Sequence, residues 1–138
     1  MKDDEMHFEG KVAQKAIIVS PSGRVLICRN HHDKELWDLP GGTLNDGEEP
    51  MAGLLREINE ELGITPKIER IISVGTFIKP KTRKRVLVIT YQASLTEELQ
   101  NFRLDETEIA ETRWIGRKNL SGVELFPEYQ RILEDFFR

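Results

Sequence analysis

A chain of 138 residues, 38% hydrophobic and 32% charged, has enough material for one domain with its own core, expected over residues 1–138. Its net charge of -4 argues against a protein that coats nucleic acid by bulk electrostatics, while leaving room for a local basic patch. The single cysteine, Cys28, excludes an intrachain disulfide and a multi-cysteine zinc site and fits a reducing, cytoplasmic setting; no signal-peptide pattern or membrane-length apolar run is present.

From Lys11 to Ser20 the run KVAQKAIIVS is β-branched and mostly apolar, which predicts a strand. A turn at SGR and a second strand at RVLICRN follow, so residues 11–29 are expected to form a hairpin with Cys28 in the core. His31 and His32 are adjacent, and neighbours in a strand point to opposite faces, which favours a surface loop over a metal pair. ELWDLPGG reads as a short extended piece ending in a Pro-Gly-Gly turn. The best helix signal comes next: Asn45 or Asp46 can cap it, Pro50 suits its first turn, and Gly63 can close it in a left-handed conformation. Strands are expected at 71–78 and 85–95, joined by the basic turn KPKTRK, and a short one at 111–116. Behind Pro127, residues Tyr129, Ile132, Leu133 and Phe136 have helical spacing. The expected fold class is α/β, a mixed sheet with helices on both faces.

On a helical wheel the residues Met51, Leu55, Ile58 and Leu62 share one arc, expected to face the core. Glu57, Glu60 and Glu61 fall on another, at i, i+3, i+4 spacing, where like charges repel. Arg56 stands four residues before Glu60 and offsets part of that repulsion. Gly53 lies on the acidic side, a poor helix former where bulk would obstruct something. Two readings compete for such a face: a solvated acidic surface, or a site for a hard cation such as Mg²⁺ or Mn²⁺ bound through carboxylate and carbonyl oxygens.

The wider spacing separates them. From Gly42 the chain reads Gly, five residues, Glu48, seven residues, Arg56-Glu57-Ile58, one residue, Glu60-Glu61, one residue, Gly63-Ile64. This matches every position of the box of the Nudix hydrolase family, G-x5-E-x7-R-E-U-x-E-E-x-G-U, with U a bulky aliphatic. Ordinary residue frequencies make a chance match on the order of one in ten million. The lead-in Trp37 to Gly42 and an arginine ending the preceding strand, Arg29, also resemble the family. The resemblance includes its MutT-like and ADP-ribose pyrophosphatase-like members. It implies a Nudix-type α/β/α sandwich, the mixed sheet flanked by the box helix and the C-terminal helix.

It also implies hydrolysis of a nucleoside diphosphate linked to another moiety X, with Mg²⁺ (Mn²⁺ as the substitute) held by Glu57, Glu60 and Glu61 and the carbonyl of Gly41 or Gly42. Metal ions neutralise the pyrophosphate and lower the pKa of the attacking water. Glu57 or Glu61 is expected to accept that water's proton. Arg56 is expected to orient Glu60 or Glu57 by a charge-assisted bond, and Glu48 to have an outer, structural role. A further carboxylate often comes from a late loop in the family. Here that place is DETEIAETRW, where Glu108 is the choice, with Glu106 and Glu111 as rivals. The alternative for all three is a solvated loop acid.

Arg29 is a candidate phosphate clamp or a structural ion pair, and Trp37 a candidate base-stacking residue or a packing one. The five basic residues between Lys79 and Arg85 either keep a hairpin tip soluble or meet substrate phosphates. Downstream patterns leave nucleoside triphosphates, oxidised ones included, and ADP-ribose-like sugars as leading substrates. Lys81 stands where dinucleoside polyphosphate hydrolases carry a tyrosine, and the run of NADH hydrolases is absent. The expected partner is a small nucleotide rather than nucleic acid or membrane, and mRNA decapping usually requires further domains. The competing class is a non-catalytic Nudix-fold module that binds or senses nucleotides; degenerate boxes mark such members, and this box is complete. A homodimer is left open, with Phe136 and Phe137 available for an interface or the core.

Overall fold

The structure, a computed structural model, describes residues 6–138. Among them the elements run β1 (Lys11–Val19), β2 (Val25–Asn30), β3 (Asp33–Asp38), β4 (Gly41–Thr43), α1 (Pro50–Leu62), β5 (Lys67–Ile78), β6 (Arg85–Ser94), β7 (Ile109–Ile115), a 3-10 turn over Arg117–Gly122, and α2 (Pro127–Phe136). The strands form one mixed sheet in the order β3-β2-β1-β6-β5, with β4 paired to β1 and β7 to β2. Strands β1 and β6 are parallel from Lys11↔Val86 to Val19↔Ser94; the other pairings are antiparallel.

The expected 11–29 hairpin exists only at its turn. Strands β1 and β2 meet at Val19↔Val25 and then part, and β4 takes over the same edge of β1 at Ala13–Lys15. The sheet therefore forks beside β1. The reason is burial: β1 is covered on both faces from Ala16 to Ile18, so it serves as a central strand with a parallel neighbour on its other side.

Alternation along β1, β2 and β6 divides the core into two layers. Ile17, Val25, Ile27, Val86 and Val88 face Tyr129 and Leu133 of α2, while Ala16, Ile18, Leu26, Cys28, Tyr91 and Ala93 face Leu54, Ile58 and Leu62 of α1. This is the α/β/α sandwich, with a helix on each face of a mixed sheet.

Helix α1 begins later than its sequence suggests. The N-cap is Glu49, with neither Asn45 nor Asp46 in that place, because those residues close a small turn first. In it the Glu48 N–H donates to the Asn45 carbonyl at 3.2 Å, and the Asn45 N–H donates to the Glu48 carboxylate at 3.0 Å. Pro50 opens the helix and Gly63 ends it at φ 68°, as expected. The buried stripe is Gly53, Leu54, Ile58 and Leu62. Met51 stays half exposed, since the first turn packs Gly53 on the Glu48 side chain.

Candidate active site

Arg56 is the hub of the acidic helix. Its Nε and one Nη donate to the two Glu48 oxygens at 2.5 and 3.1 Å, its other Nη to Glu60 at 3.1 Å, and a fourth contact reaches Glu57 at 3.2 Å. The Arg56 hydrogen bonds, with help from the Asn45 N–H, hold the Glu48 carboxyl below the usual range. Two glycines make this geometry possible. A Cβ on Gly53 would stand 2.7 Å from the Glu48 carboxyl carbon, and one on Gly42 would stand 2.6 Å from that of Glu57.

Glu61 lies deeper. Burial pushes its pKa up to about 8 against the opposing pull of Lys15, helped by the hydrogen bond that its protonated carboxyl donates to Glu57 and by the Glu57 charge. The structure thus joins Glu57 to Glu61 and turns Glu60 outward to Arg56. Among the described residues, no three histidine, cysteine or acidic side chains converge closely enough to hold an ion. The donor chemistry nonetheless suits a hard cation: two adjoining carboxylates, one of which burial and its neighbour keep protonated near neutrality. The ladder bonds of β4 and its flanks fall at Val12/Leu44 and Ala16/Pro40, so Gly41 occupies a position whose carbonyl the β1 ladder leaves free. Its backbone requires glycine, with φ 143° and the Gln14 carbonyl where a Cβ would be.

A cleft of about 650 Å³ opens from this end. Gly42, which touches Glu57 on one side, lines the cleft on the other. Its walls are Phe77 and Val86 from the β5–β6 ribbon and Phe126 and Tyr129 from the α2 end, and its rim carries Lys79, Pro80, Lys81 and Thr82. At its floor lie Lys15 and Asp38, paired at 3.2 Å. Burial by itself would lower the Lys15 pKa, but the Asp38 charge and the neighbouring groups outweigh it and hold the ammonium above the ordinary lysine range. Burial likewise pushes the Cys28 thiol and the Tyr129 phenol up.

The other singled-out residues land in varied places. The basic turn reaches the cleft through Lys79 and Lys81. Trp37, a candidate for stacking a base, is instead a core residue only 5% exposed, with its ring under the guanidinium groups of Arg29 and Arg113 at 4.6 and 4.7 Å. Arg29, a candidate phosphate clamp, pairs with Glu111 and donates to the Lys34 carbonyl, and it is not part of the cleft wall. The acidic loop meets the box helix through its backbone, the Asp105 N–H donating to the Glu61 carbonyl at 2.9 Å. The Glu108 carboxylate faces His32 at 3.7 Å, and no interaction links it to a box glutamate among the described residues. Lys15 and Asp38 escaped the sequence reading. The signal available for them was a charged residue inside an otherwise apolar strand and another between Trp37 and Leu39.

Layered sandwich, glycine turn and arginine-bridged acidic helix together fit the hydrolase family that the box spacing resembles, and comparison with known proteins agrees. The NUDIX domain pattern matches residues 11–136, and the chain belongs to that family. An RNA pyrophosphohydrolase from Zymomonas mobilis is 32% identical over 127 residues, covering 79% of this chain and 82% of the relative. A putative 8-oxo-dGTP diphosphatase from Bacillus subtilis is 28% identical over 120 residues, covering 87% and 75%. The crystal structure of a MutT protein from Methanosarcina mazei Go1 superposes with a TM-score of 0.78 at 26% identity, covering 96% of each chain. The chain is therefore a Nudix pyrophosphohydrolase, acting on acid anhydrides of nucleotide-linked substrates.

Proposed function

We propose that residues 1–138 act as one catalytic domain that hydrolyses the pyrophosphate bond of a nucleoside diphosphate linked to X, with a nucleoside 5′-triphosphate as the favoured substrate. The carrying observation is that Gly42 separates the Glu57–Glu61 carboxylate pair from a cleft whose far rim is basic. A phosphate chain laid along that cleft places its scissile bond at the box and its remaining charge against lysines. ADP-ribose-like sugars carry less charge and use that rim less. The names of the two relatives point to RNA and to 8-oxo-dGTP, both phosphate-bearing nucleotides.

Glu57, Glu60 and Glu61 with the Gly41 carbonyl are the proposed Mg²⁺ ligands, Mn²⁺ substituting. When bound, the ion neutralises the phosphate chain and lowers the pKa of the attacking water. Glu57 is the proposed acceptor of the water's proton, with Glu61 the alternative; the Arg56 contact to one of its oxygens and the room left by Gly42 support this. Arg56, anchored on Glu48, donates to both Glu57 and Glu60 and orients them. The apolar walls of the cleft exclude water from the base and sugar. A buried free thiol at Cys28 supports a reducing, cytoplasmic setting, and among the described residues no helix is long and apolar enough to cross a membrane.

The test is a Mg²⁺-dependent assay for mononucleotide release from a panel of nucleoside triphosphates, 8-oxo-dGTP, ADP-ribose, nucleotide sugars and dinucleoside polyphosphates. Preference for triphosphates supports the proposal. Preference for ADP-ribose redirects it, and tight nucleotide binding without turnover of any panel member makes the chain a sensor module.

A further inference from the structure

Lys15 occupies a position where stability gives little reason for a lysine. It stands in the middle of β1, in the row of Lys11, Ala13 and Lys15 that lines the cleft, and its side chain is only 12% exposed. Lysines are almost never so buried without a partner. Well-packed apolar substitutes for a buried ion pair are often as stable or more so, which leaves the Lys15–Asp38 pair weakly explained as a structural device.

The hydrogen bonds are unevenly filled. An ammonium has three donors. One goes to Asp38 Oδ2 at 3.2 Å, and among the described residues no other acceptor meets Lys15. The face of the Tyr129 ring, 5.7 Å away, is its aromatic neighbour. Asp38 is better served: Oδ1 accepts the Leu39 N–H at 2.7 Å, and Oδ2 also accepts from Asn30 at 3.4 Å. Asp38 is thereby fixed in place, and Lys15 keeps two donors for whatever enters the cleft. A poorly solvated ammonium with open donors suits an anionic oxygen above all.

Position adds the second argument. Lys15 stands opposite Gly41 in the β1–β4 register, and the next residue along β4, Gly42, is the one that touches Glu57. The cation is therefore at the junction of cleft and box. By contrast Lys79 and Lys81 stand at the rim on an exposed turn, where long side chains sample many geometries.

We infer that Lys15 is a substrate-contacting residue that donates from the cleft floor to an anionic phosphate oxygen, with Asp38 as the positioning residue that orients it. The inference rests on the pyrophosphohydrolase reading, which is what brings a phosphate chain to this junction. Hydrolysis breaks a P–O bond and leaves added negative charge on the departing phosphate, and a fixed ammonium stabilises that charge as it develops without reorganising.

Inorganic pyrophosphate in Mg²⁺ buffer is the probe. In the wild-type protein the ¹⁵N resonance of the Lys15 ammonium is expected to shift in step with pyrophosphate saturation. Lys15→Met is expected to weaken pyrophosphate binding and lower kcat/KM at least tenfold, with Lys15→Arg recovering part of the loss. Since Lys15→Met leaves Asp38 unpaired, the double variant Lys15→Met/Asp38→Leu removes both charges and preserves the fold for the same measurement. A Lys15 resonance that ignores bound pyrophosphate overturns the inference, as does a folded double variant that binds pyrophosphate as tightly as the wild type, or a wild type that does not bind it. Failure of the hydrolase reading looks different: no nucleotide is turned over while the Lys15 resonance still responds.

Discussion

The two ends of the cleft carry opposite electrostatic burdens. At the box, the Arg56 guanidinium is shared among Glu48, Glu57 and Glu60, while Glu61 lies beyond its reach and keeps its proton near neutrality. At the other end Lys79 and Lys81 stand at the rim, and among the described residues no carboxylate pairs with either. Each end is incomplete by itself. On the proposed function, a phosphate chain with its cation is what completes both, and the fold then has a use for an excess of acid and an excess of base so close together.

If the contrast is correct, changes at the box act on rate and changes at the rim act on binding. The largest effect is expected from Glu61→Gln: a fall in kcat of about 10²–10⁴-fold with the thermal midpoint preserved. Steady-state kinetics on the preferred nucleotide read it, and a variant with wild-type kcat breaks the metal-site assignment. Gly42→Ala should come next. Its methyl would stand 2.6 Å from the Glu57 carboxyl carbon, and displacing that group should lower kcat/KM by about 10²-fold. Gly75→Ala, whose Cβ meets nothing within 4 Å, is the control and should leave activity unchanged.

At the rim, Lys79→Ala and Lys81→Ala are each expected to raise KM about two- to fivefold, with kcat held and the salt dependence of KM reduced. An equal effect on kcat would mean that the rim takes part in the chemistry. The smallest effect concerns proton linkage. The Glu61 carboxyl is raised from 4.5 to about 8 in the folded chain, so across that window the folded state holds a proton that the unfolded state has released. Stability of the metal-free protein must then fall as pH rises through the window. In EDTA the thermal midpoint of the wild type should drop towards pH 8 relative to that of Glu61→Gln. Parallel curves for the two proteins would remove Glu61 as the titrating group.

Much of the architecture was legible because its signals are local. The box spacing, Pro50 and Gly63 at the helix ends, and the basic turn between β5 and β6 are each written within a few residues. What escaped depends on partners distant in the chain. Nothing in residues 11–29 says that β1 will leave β2 after one pair and take β6 and β4 instead. Trp37 reads equally well as a stacking platform or a core residue until Arg29 and Arg113 arrive over its ring from β2 and β7. Lys15 reads as a flaw in an apolar strand until Asp38, in a different strand, gives it a partner. The cap at Glu49 was hidden by Asn45, whose preference for a turn was fulfilled one turn too early.

The parallel join between β1 and β6 also bears on how the protein folds. It links Lys11 to Val86 and Val19 to Ser94, whereas β5 and β6 are neighbours across a short turn. Local hairpins close in microseconds, and pairings of long sequence separation are slow because the intervening chain must first surrender its freedom. The ribbon bearing Lys79 and Lys81 can therefore form early, while β1, which brings Lys15 and the glycine turn, docks late. Both walls of the cleft exist together only after that docking. Activity regained during refolding should accordingly lag behind the recovery of secondary structure and report the closing step of the molecule.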